Sequence, residues 1–93
     1  MTDGGDRAAH PQIRDRLLRL VAQILGRPEA AGALPADARL NELGMSSIKM
    51  VNLMLAVETE FDLTIPQGDI TPENFRSVAA VEDLLIRLLA ART

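Results

Sequence analysis

The sequence predicts an all-α domain: a bundle of three longer helices and one short third helix, with a long first loop. Three observations carry this. Apolar residues recur at helical spacing in three stretches, around 13–24, 47–61 and 78–89. Residues that start or stop helices sit at the edges of those stretches. Strand-like alternation is confined to Asp62–Ile65, which is short and ends at Pro66.

Taken in order, residues 1–10 read as a flexible N-terminal tail and residues 11–93 as a single domain. Pro11 suits a first helical residue, because its missing N–H would have no partner there anyway. Ile13, Leu17, Leu20 and Ile24 then mark one buried face. Gly26 and Pro28 stop that helix, the first by allowing a left-handed cap and the second by refusing to continue. Arg14, Arg16 and Arg19 lie on its other faces and read as a solvated surface, with a partner contact as the alternative. Residues 27–45 show little periodicity, and Leu34, Leu40 and Leu43 are expected to pin them to the core. Ser46 is a good N-cap for the second helix, since its hydroxyl can accept from an orphan backbone N–H. Thr71 and Pro72 announce a helix of one or two turns through Phe75. Ser77 caps the last helix, whose apolar side carries Val78, Val81, Leu84, Leu85, Leu88 and Leu89.

The composition narrows the chemistry. The 93 residues are 47% hydrophobic and 25% charged, ordinary for one small globular domain. With no Cys, the chain itself has no disulfide, no thiol nucleophile and no Cys-bound metal. One His, His10, makes a Ser–His–Asp relay improbable, and no catalytic or metal-ligating set is found. A net charge of −3 argues against a nucleic-acid partner. No stretch approaches the roughly 20 apolar residues of a membrane span. Residues 1–10 lack the basic-then-apolar pattern of a signal peptide. A cytoplasmic monomer is expected.

The second helix has more apolar surface than a core needs. On a wheel of about 100° per residue, Met50, Leu53, Met54, Val57 and Phe61 share roughly a third of the circumference. Ile48, Val51 and Leu55 form a second cluster, bordered by Asn52 and Thr59. Two readings are open. The helix is either buried nearly all round, or it exposes an apolar patch beside Ser47 that marks a docking surface. Glu58, Glu60 and Lys49 limit how far it can be enclosed and favour the patch. Ser47 then stands at a helix N-terminus, where free N–H groups and the helix dipole favour an anion such as a phosphate. Lys49 stands in that first turn against the dipole, and in place of the acidic capping-box partner of Ser46.

These residues carry a family resemblance. Leu43-Gly44-Met45-Ser46-Ser47-Ile48, then Glu58-Thr59-Glu60-Phe61, then Ile65-Pro66, resemble the acyl carrier protein family. Its pattern is Leu-Gly-x-Asp-Ser-Leu, a helix ending in Glu-x-x-Phe, and an Ile-Pro pair. Phe75-Arg76-Ser77-Val78 falls at the family's junction of third and fourth helices, so the likeness covers about residues 11–91.

The resemblance implies a four-helix bundle of acyl carrier protein type. It implies a non-catalytic carrier with 4′-phosphopantetheine on Ser47, installed from coenzyme A by a phosphopantetheinyl transferase. The thiol of that arm holds cargo as a thioester, loaded by an ATP-dependent ligase and passed to an acceptor enzyme. Met45, Ser46, Ile48, Val51, Asn52 and Leu55 are the partner-binding residues on this reading. Ser46 stands where the family has Asp, which makes it a second candidate for the arm, but Ile48 fits the apolar position directly after Ser47. Lys49, Asn52 and Thr59 replace acidic positions of fatty-acid carriers, so the chain is more similar to free-standing bacterial aminoacyl carrier proteins. Their ligases resemble truncated class II aminoacyl-tRNA synthetases. A stand-alone acyl or peptidyl carrier of a polyketide or nonribosomal-peptide pathway is the alternative. In a different class, the alternative is a helical interaction module in which Ser46 and Ser47 only cap.

Overall fold

Three α-helices form where the apolar spacing predicts them. A computed structural model describes the backbone of residues 3–92 and the side chains of residues 12–91. Helix α1 spans Asp3–Ile24, α2 spans Ser47–Phe61 and α3 spans Val78–Arg92. Two 3-10 turns, Pro28–Ala33 and Leu40–Leu43, lie between α1 and α2, and a third, Gln67–Asp69, lies between α2 and α3. No strand occurs among the described residues. The side chains of the expected tail, residues 1–10, lie outside those described, and the backbone assigned to α1 starts at Asp3, ahead of Pro11.

The helix ends follow their residues. Gly26, at φ 82°, turns the chain after α1, and the N–H of Arg27 donates to the carbonyl of Ala22 at 2.8 Å. Such bonds satisfy carbonyls that the helix leaves open. At the end of α2, Asp62 takes the left-handed conformation (φ 53°) and its N–H donates to the carbonyl of Glu58. Ser77 caps α3, its Oγ accepting from the N–H of Ala80 at 3.1 Å.

The connection of residues 27–45 is more ordered than its lack of periodicity predicts. Its 3-10 turns are too short to display an apolar period. Leu40 is buried, and Leu34 and Leu43 pack against the core, as the spacing predicts. Two backbone bonds stitch the connection to the start of α3: Leu40 N–H to Arg76 O at 2.9 Å, and Ala79 N–H to Ala36 O at 3.0 Å. The first of these also explains the short element. Phe75 N–H bonds to Thr71 O, and Asn74 N–H to Thr71 Oγ1, so one helical turn closes after Thr71. Arg76 then leaves the helical path to meet Leu40, and no second turn forms.

The core is built from Leu17 and Val21 of α1, Leu53 and Val57 of α2, and Val81, Leu84 and Leu85 of α3. Leu40, Met45, Ile65, Phe75 and Val78 close it. On α1 the buried line is Ile13, Leu17 and Val21; Leu20 and Ile24, expected on that line, flank it half-buried. Two α1 arginines are engaged within the bundle instead of standing free in solvent. Arg14 donates from Nε (3.0 Å) and Nη2 (2.6 Å) to the buried carboxylate of Glu82. The pairing keeps that charge from being stranded on the apolar side of α3. Arg16 bridges to Glu60 at 2.8 Å and lies over the Phe61 ring, 4.4 Å from its centroid, tying α1 to the end of α2. Among the described residues, no buried side-chain nitrogen or oxygen lacks a partner. No helix among them is long and apolar enough to cross a membrane.

Candidate functional site

A glycine and a serine set the start of α2. Gly44 sits at φ 102°, ψ 13°, a left-handed conformation that residues with a Cβ rarely adopt. The turn it permits puts Met45 in the core and leaves Ser46 and Ser47 at the surface. Ser46 is the N-cap in extended conformation, and its Oγ accepts from the N–H of Lys49 at 3.3 Å. Ser47 is the first residue of α2, exposed, with a hydroxyl that has no hydrogen-bond partner among the described residues. The first turn contains no acidic residue. The positive end of the helix dipole meets no acid within that turn, and it favours a phosphoryl group on that hydroxyl.

Beyond the serine, α2 divides cleanly. Leu53, Val57 and Phe61 are buried, whereas Ile48, Val51 and Leu55 are 76%, 53% and 57% exposed. Of the two readings open at the sequence, the exposed patch holds and the enclosed central helix does not. Asn52 and Thr59 are exposed beside the stripe, as the wheel places them. Met45 is a correction: it was expected on the docking surface, but it is only 4% exposed. It precedes the N-cap and so lies off the helical wheel. The bond from its N–H to Leu40 O (3.0 Å), with the Gly44 turn, directs its side chain inward.

Two features of the site escaped the spacing. The first is the role of Glu58. Its Oε2 accepts from the buried N–H of Ile65 at 2.8 Å, and this anchors the strap that leaves α2. The Glu58…Ile65-Pro66 pattern was the available signal, but no local periodicity assigns the pair a bond. The second is a groove of about 600 Å³ between α2 and the segment of residues 70–76. Met50, Met54, Ile70 and Phe75 line its apolar part, with Arg39, Glu73 and Arg76 among its polar residues. The wheel put Met50 and Met54 on the core arc. They are half-buried, because the segment of residues 70–76 borders an open groove there.

An exposed hydroxyl without a hydrogen-bond partner at a helix start, next to an exposed apolar face, fits the class the helical bundle defines, a small carrier protein. The chain belongs to the phosphopantetheine-attachment (PP-binding) family, whose pattern matches residues 15–85. As a member of that family it is a carrier and not itself a catalyst. It is 44% identical to aminoacyl carrier protein 1 of Bradyrhizobium diazoefficiens, over 92% of this chain and 96% of that one. With aminoacyl carrier protein 2 of the same organism it shares 43%, over 85% and 89%. Among solved structures it resembles a chain in the crystal structure of Bradyrhizobium japonicum glycine:[carrier protein] ligase complexed with glycylated carrier protein. The TM-score is 0.64 at 49% identity, covering 77% of this chain and 97% of that one.

Proposed function

We propose that Ser47 is the residue esterified by 4′-phosphopantetheine, and that this chain carries an amino acid, loaded in the cytoplasm by a dedicated ATP-dependent ligase. The observation that carries the assignment is the exposed, unpartnered Ser47 hydroxyl at an α2 N-terminus free of acidic residues. The neighbouring Ser46 is a poorer candidate, because its Oγ already accepts the Lys49 N–H. When bound, the group supplies a terminal thiol that holds the cargo as a thioester, which this chain, lacking Cys, cannot supply itself.

The chain's own residues recognise and orient. Ser47 and the free N–H groups around it hold the phosphoryl end. Ile48, Val51 and Leu55, with Asn52, present the face that a phosphopantetheinyl transferase, the ligase and a downstream acceptor each meet in turn. Burying one such half-exposed side chain contributes about 1–2 kcal/mol, so three suit contacts that form and break readily. The names of the relatives and the glycine ligase complex support an amino acid as cargo over a fatty acyl or peptidyl group.

The test is intact-mass analysis. Incubation with coenzyme A and a promiscuous transferase should add one phosphopantetheine to the wild type and nothing to Ser47→Ala. A Ser47→Ala chain that still gains the mass would move the arm to Ser46. The arm-bearing chain purified from its own host should carry the further mass of an amino acid. An acyl or peptidyl mass there would replace the cargo assignment and leave the carrier intact.

A further inference from the structure

Along α2 the two acids, Glu58 and Glu60, are engaged within the fold, and Lys49 is not. Glu60 accepts from Arg16 Nε at 2.8 Å through its carboxylate and from Arg16 Nη2 at 2.7 Å through its carbonyl. The Glu58 carboxylate is turned to the N–H of Ile65. Among the described residues, Lys49 has no ion-pair partner. Of the charged residues that line the neighbouring groove, Arg39 and Arg76 are cations and Glu73 is the acid. Within α2, then, both acids are engaged and the cation is not, on a chain whose net charge is −3.

Lys49 is also wrong for its place by local helix physics. It occupies the third helical position, where Ser46 at the N-cap would pair best with a Glu, and where the dipole disfavours a cation. A side chain that costs stability where it stands, next to the site, is what a recognition contact would require. We propose that the ligase surface receiving α2 is apolar at its centre and acidic at its rim, with a carboxylate opposite Lys49. This rests on the reading of the chain as an amino acid carrier. It excludes a partner that reads α2 through a basic patch.

The probe is the Bradyrhizobium japonicum glycine:[carrier protein] ligase, acting on the arm-bearing full chain. Loading is followed as kcat/KM from low to high salt, for wild type, Lys49→Gln and Lys49→Glu. At low salt Lys49→Glu should lose roughly five-fold, with Lys49→Gln in between, the scale of an exposed charge pair. The gap should shrink as salt screens the contact. In urea the same Lys49→Glu chain should be at least as stable as wild type, because it completes the capping box. Lost loading with kept stability separates recognition from folding. A wild type that loads while Lys49→Glu loads equally well or faster overturns this inference alone. An arm-bearing wild type that is not loaded at all overturns the amino acid reading, and this inference with it.

Discussion

Removing the Glu58 carboxylate should show how the docking helix is tied to the strap behind it. Glu58 Oε2 accepts from the N–H of Ile65 at 2.8 Å, and Ile65 is only 4% exposed. In Glu58→Ala that N–H is left buried with no acceptor, which costs about 1–3 kcal/mol. The lost bond is charge-assisted and belongs in the upper part of that range. Ala is a slightly better helix former than Glu, which offsets a few tenths of a kcal/mol. The expected net loss is about 2 kcal/mol. For a chain of this size that lowers Tm by roughly 10 °C. Glu58→Gln keeps a neutral acceptor at the same reach and should lose about 1 kcal/mol, since neutral bonds are roughly half as strong. Urea and thermal unfolding followed by circular dichroism measure both. If Glu58→Ala lies within about 0.5 kcal/mol of wild type at an unchanged m-value, the Ile65 bond does not hold the strap and the reasoning fails.

Other outcomes follow from the same geometry. Val51→Asp and Leu55→Asp alter exposed positions and should leave stability within about 0.5 kcal/mol. Each should raise KM for ligase loading roughly ten-fold or more, because an unpaired carboxylate would be buried on docking. Collapse of the circular dichroism spectrum would instead place the stripe in the core. Ser46→Ala removes the α2 cap and should cost about 1 kcal/mol in urea, with arm attachment still detected by mass on Ser47. A Ser46→Ala chain that takes no arm while remaining folded would shift the attachment site.

How much of this was legible follows the range of each interaction. The helical spacing around residues 47–61 separates Leu53 and Val57 from Ile48, Val51 and Leu55, because a regular helix converts sequence position directly into direction. Caps are equally local: Ser46 meets the N–H of Lys49 and Ser77 that of Ala80, each three residues on. Met45 was misplaced for the complementary reason, since a wheel says nothing of a residue before the cap. The Arg14–Glu82 pair and the Arg16–Glu60 bridge join residues 68 and 44 positions apart. No periodicity reports such a separation, so a helix face that reads as solvated became partly internal.

By itself, then, the sequence determined the three long helices, the caps at Ser46 and Ser77, the two apolar arcs of α2 and the lack of any thiol of the chain's own. All of these depend on residue type and on neighbours within a turn or two. Only the tertiary structure decided which charges are free. Arg16 engages Glu60, Ile65 engages Glu58, and Lys49 has no ion-pair partner among the described residues. Charge is counted along the chain, but it is neutralised through space, and the packing of α1 and the strap against α2 determines what a docking enzyme meets.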